Sequence, residues 1–145
     1  MDSKLIFFPV IAQIILTFVL YVRLTIVKHR ALENGEVDLG RRSLHGDAWP
    51  DSVLKVSNNL QNQFESPVLF YALCFMLWAL DGVTITVMVL ACFFVFLRAL
   101  HAFVHTGSNI VNVRKNIFMA SMVLLLILCG LALVNCLAKA VIPLA

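Results

Sequence analysis

Charge is the scarce ingredient of this sequence. Asp, Glu, Lys and Arg make up 13% of its 145 residues, about half the share found in an ordinary soluble domain. With 61% hydrophobic residues and a mean hydropathy of +0.95, a water-facing surface cannot be built from what remains. An integral membrane protein is expected, and the length leaves no room beside it for a second domain, so residues 1–145 read as one transmembrane unit. The cysteines lack metal-ligand spacing: Cys74, Cys92, Cys129 and Cys136 all lie in apolar segments. They are expected to be small buried hydrophobes, and they say nothing about redox compartment. A cleaved leader is not expected either. The run after Met1-Asp2-Ser3-Lys4 is too long for a signal-peptide core and carries no small-residue cleavage site. Net charge is only +3, and the basic residues gather between apolar runs. That is the pattern of membrane topology, not of nucleic-acid binding.

Four spans are expected, at about residues 5–27, 52–80, 83–105 and 110–137. At about 1.5 Å per residue the first reaches roughly 34 Å, enough to cross the hydrocarbon. Gln13, Thr17 and Tyr21 interrupt it, and Arg23 lies one turn from its expected end. Arg23 either snorkels to the interface or enters a site. Leu32 to Trp49 is polar and carries the turn signals Asn34-Gly35 and His45-Gly46-Asp47. Pro50 suits the first turn of the second helix, which runs on past a single crossing. Asp81-Gly82 is a tight turn, Gly107 stops the third helix, and Ser108 or Asn109 is positioned to cap the fourth.

Loop two has no basic residue, and each end of the chain has one lysine. Loop one holds Lys28, Arg30, Arg41, Arg42 and Lys55, and loop three holds or borders Arg98, Arg114 and Lys115. The positive-inside rule sets loops one and three in the cytoplasm and both termini on the other side. Arg23, Arg98, His101, His105 and Arg114 then collect at the cytoplasmic end.

The polar stretch Asn58-Asn59-Leu60-Gln61-Asn62-Gln63-Phe64-Glu65-Ser66-Pro67 meets them there. In a continuous helix Asn58, Asn62 and Glu65 share one face. Pro67 has no amide hydrogen, frees the carbonyl of Gln63 and is expected to kink the helix at Glu65. The stretch is either a helix end in water or an inward-facing ligand site; in the second case Glu65 is expected to pair with Arg98, since a lone charge in an apolar run is costly.

Three chemistries fit these residues. His101 and His105 with Glu65 could hold a metal, but Arg98 on the same face repels a cation, and no metal is expected. A proton relay needs a polar path across the bilayer, which the sequence does not supply. A pocket for an anionic, hydrophilic ligand beside a lipid-facing crevice uses the arginines as bidentate donors and a helix N-terminus as an anion site.

Four spans, Asn-x-x-Glu-x-Pro entering the second (Asn62 to Pro67), and Arg-x-x-His (Arg98, His101) before a final Arg114 resemble the MAPEG family, the membrane-associated proteins of eicosanoid and glutathione metabolism. The resemblance covers essentially the whole chain. It implies a left-handed all-α bundle of four transmembrane helices assembled as a homotrimer, with glutathione held between neighbouring subunits and a lipophilic electrophile arriving from the bilayer. Tyr21-Val22-Arg23-Leu24 resembles the end of the family's first helix, with Arg23 reaching the glutathione pocket. Asn62 and Glu65 match the pair that holds the tripeptide, and Arg98 and His101 match the third-helix pair. Arg114, sixteen positions after Arg98, matches the thiol-activating arginine. Departures are Gln61 and Asn58 for arginines, His105 and Phe118 for tyrosines, and Lys115 for a serine. The resemblance thus implies a glutathione-dependent transferase or peroxidase, and the departures leave open a non-catalytic or differently liganded protein of the same fold.

Overall fold

The computed structural model describes residues 2–141. Helix α1 runs Phe7–Glu33, after a 3-10 turn at Ser3–Ile6 whose first amides are capped by Asp2. Helix α2 is Asp51–Gln61, a second 3-10 turn covers Asn62–Phe64, and α3 is Ser66–Ala79. Helices α4, Ile85–Thr106, and α5, Val111–Val141, complete the bundle. No strand occurs among the described residues. Ser3–Glu33, Ile85–Thr106 and Val111–Val141 are each long and apolar enough to cross a membrane, and the chain is an integral membrane protein.

Local chemistry accounts for the helix ends. Pro9 sits in the first turn of α1, where a missing N–H is harmless. Thr84 Oγ1 accepts from the Val87 amide at 3.3 Å and starts α4. Gly107 ends α4 as expected, and a Cβ there would come within 2.9 Å of the Phe103 carbonyl. Asn109 takes a left-handed φ of 52°, which its short polar side chain tolerates, and that side chain accepts from Arg114.

Phe70 and Phe94 stack at the centre, ring centroids 4.5 Å apart, among Ile6, Cys74, Leu77 and Leu128. Ala91 and Ala132 are fully covered, and such small side chains let α4 and α5 approach closely. The outer surface is apolar as well: Phe8, Phe18, Phe96, Phe103 and Leu126 all point outward. That surface suits hydrocarbon, not water. Cys92, Cys129 and Cys136 lie on it, and only Cys74 is buried. The expectation that all four cysteines are interior fails because a lipid-facing helix is apolar on both faces.

Two spans differ from expectation. The first helix continues to Glu33, six residues past the expected end at 27, so Arg23 lies well inside it. The second is two helices, not one. The fourteen residues of α3 measure roughly 21 Å, less than the hydrocarbon thickness. Loop one is more ordered than its polarity suggests. Val37 and Ala48 are buried in it, the first against Ala31 and Val53. The Trp49 indole donates to the Arg42 carbonyl at 3.3 Å, and Arg41 pairs with Asp47 at 2.7 Å. That hydrogen bond raises the Arg41 pKa above its ordinary value.

At the opposite end Lys139 pairs with Asp81 in the α3–α4 turn. A Cβ on Gly82 would lie 2.8 Å from Asn135 Cγ, and Asn135 is held by donating to the Leu131 carbonyl at 2.8 Å. Gly130, inside α5, has open space around it. We expect Gly82→Ala to lower stability by about 1–3 kcal/mol through crowding. Gly130→Ala should raise it by about 0.5–1 kcal/mol through helix propensity. Thermal unfolding of the two variants in detergent checks the opposite signs.

Candidate functional site

Pro67 determines how the polar stretch folds. It cannot return a hydrogen bond to the Gln63 carbonyl, and the helix breaks there. Asn62–Phe64 tightens into a 3-10 turn, and Glu65, with φ −104° and ψ −97°, belongs to neither helix. The expected kink is present, and it separates α2 from α3. The expected face of Asn58, Asn62 and Glu65 does not form. Asn58 and Glu65 are exposed, Asn62 is half-buried, and the amides turned inward are Asn59 and Gln63, 0% and 1% exposed.

These inward amides form a continuous string. Gln13, also 0% exposed, donates from Nε2 to Gln63 Oε1 at 2.9 Å. Gln63 Nε2 donates to the Asn59 carbonyl at 3.1 Å and lies 3.5 Å from Asn59 Oδ1. Asn59 Nδ2 is 3.2 Å from His105 Nδ1. The string joins α1, the 3-10 turn, α2 and the last turn of α4. A buried amide without partners costs about twice what a paired one contributes, so the string favours one register of these elements.

Arg98 is 0% exposed. Its Nη2 donates to the Asn62 carbonyl at 3.1 Å, and the guanidinium carbon lies 5.8 Å from the Phe118 ring centroid. Nε and Nη1 have no partner, nor does His101 Nδ1. The expected Glu65–Arg98 pair does not form. Among the described residues the ion pairs are Arg41–Asp47 and Lys139–Asp81, and His29 lies 3.2 Å from Glu33. Glu65, exposed at the break, stays beyond ion-pair distance, and Arg98 donates to the Asn62 carbonyl.

Beside Arg98 lies a cavity of about 220 Å³ walled by Asn62, His101, His105, Arg114, Lys115 and Phe118. His105 and Arg114 also wall a neighbouring hollow of about 270 Å³ with Asp51, Lys55, Asn58 and Asn109. The His101 ring is 5.4 Å from that of His105 and 5.8 Å from Phe118. Arg114 is half-buried at the head of α5, donating from Nη1 to Asn109 Oδ1.

Of the residues singled out in the sequence, Asn62, His101, His105 and Arg114 therefore meet at one cavity. Arg98 touches it through Asn62 and Phe118. Arg23 and Glu65 are not among its walls. Arg23 donates to the Thr106 carbonyl at 3.0 Å and ties α1 to the end of α4. No cluster of three metal-ligating side chains forms among the described residues. Sequence reasoning missed Gln13 and Asn59 as interior groups. Their signals were a lone amide in an apolar run and the Asn59/Gln63 spacing of four, one position round from the face that was favoured. A separate, apolar crevice of about 330 Å³ lies between α1 and α3, among Ile14, Phe18, Tyr21, Phe64 and Tyr71, with Gln63 at its wall.

The fold and this end of it define a class: an α-helical membrane bundle that gathers arginines, histidines and amides round a cavity at the ends of α4 and α5. The family model of the MAPEG family matches residues 6–134, and the chain belongs to that family. Comparison with curated proteins gives no match, and comparison with solved structures gives none.

The amide string makes a prediction about coupling. Gln13→Leu and Gln63→Leu should each cost about 1–3 kcal/mol, since each strands a buried partner. The double variant should cost clearly less than the two losses combined. A double-mutant cycle read by chemical or thermal unfolding in detergent checks this; additive losses would show that the 2.9 Å contact carries no coupling.

Proposed function

We propose that the chain binds glutathione in the cavity beside Arg114 and acts as a glutathione-dependent transferase or peroxidase on lipophilic electrophiles. The observation that carries this reading is the charge of the site. Arg114 walls a cavity shared with His105 and Asn62, next to a buried Arg98 whose Nε and Nη1 lack partners, and no carboxylate is among its walls. Such a site favours an anion that accepts several hydrogen bonds. Glutathione fits that donor set through its carboxylates, and when bound it supplies a thiol nucleophile.

Each residue then has a task. Arg98 and Asn62 orient the tripeptide, and His101 offers a further polar contact. Arg114 holds the sulfur as thiolate. A thiol in water has a pKa of roughly 8.5. A guanidinium within hydrogen-bonding reach, at the positive end of α5, lowers it by about 1–3 units. The thiolate then becomes a major species at neutral pH and attacks an electrophile entering from the lipid side. Arg23 and Glu65 contribute, in this reading, across the boundary with a neighbouring copy. The assembly is a homotrimer of one-domain, left-handed four-helix bundles in which α2 and α3 together make the second of four crossings. Loops one and three face the cytoplasm, and both termini face the other side.

One observation favours a non-catalytic protein of the same fold. Arg114 already donates to Asn109 Oδ1, a bond that would serve a purely structural arginine closing the α4–α5 turn. The two readings separate when glutathione is titrated into wild type, Arg114→Lys and Arg114→Ala while thiolate absorbance is followed in the ultraviolet. We expect a clear thiolate band with wild type, a weaker one with lysine, which keeps the charge but loses the planar fork, and none with alanine. No band in wild type, or equal bands in all three, contradicts the catalytic role.

A further inference from the structure

We propose that Asn59 is a positioning residue that fixes His105 as the tautomer protonated on Nε2, so that His105 donates a hydrogen bond into the cavity. That this bond meets the glutathione sulfur rests on the function proposed above; the tautomer does not.

The direction of the amide string is set at one point. Gln63 is 3.1 Å from the backbone carbonyl of Asn59, and a carbonyl oxygen only accepts. The atom facing it is therefore Gln63 Nε2, and Oε1 must point the other way, toward Gln13. Gln13 answers with its nitrogen at 2.9 Å, which leaves Gln13 Oε1 buried without a partner. On the other side, Gln63 Nε2 also faces the Asn59 side chain at 3.5 Å. A donor there calls for Oδ1, so Nδ2 is turned toward His105 Nδ1, 3.2 Å away. An amide nitrogen only donates. Nδ1 must then accept, and the ring carries its proton on Nε2.

The competing arrangements are worse. A doubly protonated ring would set one donor against another at Nδ1. The opposite tautomer would require Asn59 to flip, which sets Asn59 Nδ2 against Gln63 Nε2 inside the bundle. The string has its direction from a backbone group that cannot flip.

His105 Nε2 makes no hydrogen bond among the described residues and is not one of the buried unpaired atoms. His105 walls both hollows that Arg114 walls. The free N–H is therefore available beside the arginine. Only one of the two nitrogens of a neutral imidazole donates. A histidine here needs a neighbour that selects the nitrogen, and Asn59 occupies that position.

The test uses the full chain, purified in detergent and labelled with 15N only at histidine. Long-range proton–nitrogen correlation reports the tautomer of each ring without any ligand. His105→Gln identifies the His105 signals by their loss. We expect Nδ1 to read as the bare, pyridine-like nitrogen and Nε2 as the protonated, pyrrole-like one. Asn59→Asp exchanges the donor for an acceptor of the same shape, and the proton should move to Nδ1. A wild-type His105 protonated on Nδ1, or an Asn59→Asp spectrum with the tautomer unchanged, overturns the proposal. The wild-type spectrum alone decides the first point if Asn59→Asp does not fold. Glutathione titrated into the same two proteins should give a weaker thiolate band in Asn59→Asp. An absent band in wild type with the expected tautomer overturns the glutathione reading and leaves the assignment of Asn59 supported.

Discussion

A proline has no backbone hydrogen to give, and in a bilayer no water replaces it. At Pro67 that missing hydrogen frees the Gln63 carbonyl and breaks the helix, and the turn before the break is held by groups from other elements. The Asn62 carbonyl takes a hydrogen bond from the buried Arg98. The Gln63 side chain turns inward and links Gln13 to Asn59. Glu65 is exposed. The break, the buried arginine and the amide string thus meet at one turn of the chain.

The hydrophobic pattern made the bundle legible from the sequence. Apolar runs long enough to cross a bilayer are rare in any other setting, so α1, α4 and α5 could be read as helices, though the end of α1 lies six residues beyond the expected one. Punctuation by Asp81-Gly82 and Gly107 did the rest. Facing was not legible to the same degree. Lipid and core are both apolar, so hydropathy could not tell the outward Cys92, Cys129 and Cys136 from the inward Cys74. Face assignment in α2 failed for a different reason. Periodicity presumes one helix, and the turn at Asn62–Phe64 ends it, so the counted face of Asn58 and Glu65 gave way to that of Asn59 and Gln63. Charge at the ends of α4 and α5 was legible, because arginine and histidine beside an apolar run have few places to go. Asn62, His101, His105 and Arg114 line one cavity. Pairing was not: Arg98 sits beside a backbone carbonyl, and no sequence pattern announces a carbonyl.

The apolar crevice and the polar cavity differ in character and are linked through side-chain amides. Gln63 lies at the wall of the apolar crevice between α1 and α3, and through Asn59 it reaches His105 at the polar cavity. A rigid polar partition with an apolar space on one side and a cationic space on the other suits chemistry between a lipid-soluble molecule and a water-soluble one. It also explains the placing of polar groups in a chain otherwise short of them.

The central claim is that the cationic cavity takes glutathione, and direct binding tests it most simply. Isothermal titration calorimetry of the purified protein in detergent, with glutathione as titrant, should give a saturable heat in wild type. The heat should weaken strongly in Arg114→Ala, whose guanidinium no longer walls the cavity. A folded wild-type protein that gives no saturable heat, or an Arg114→Ala variant that binds as tightly as wild type, would contradict the account.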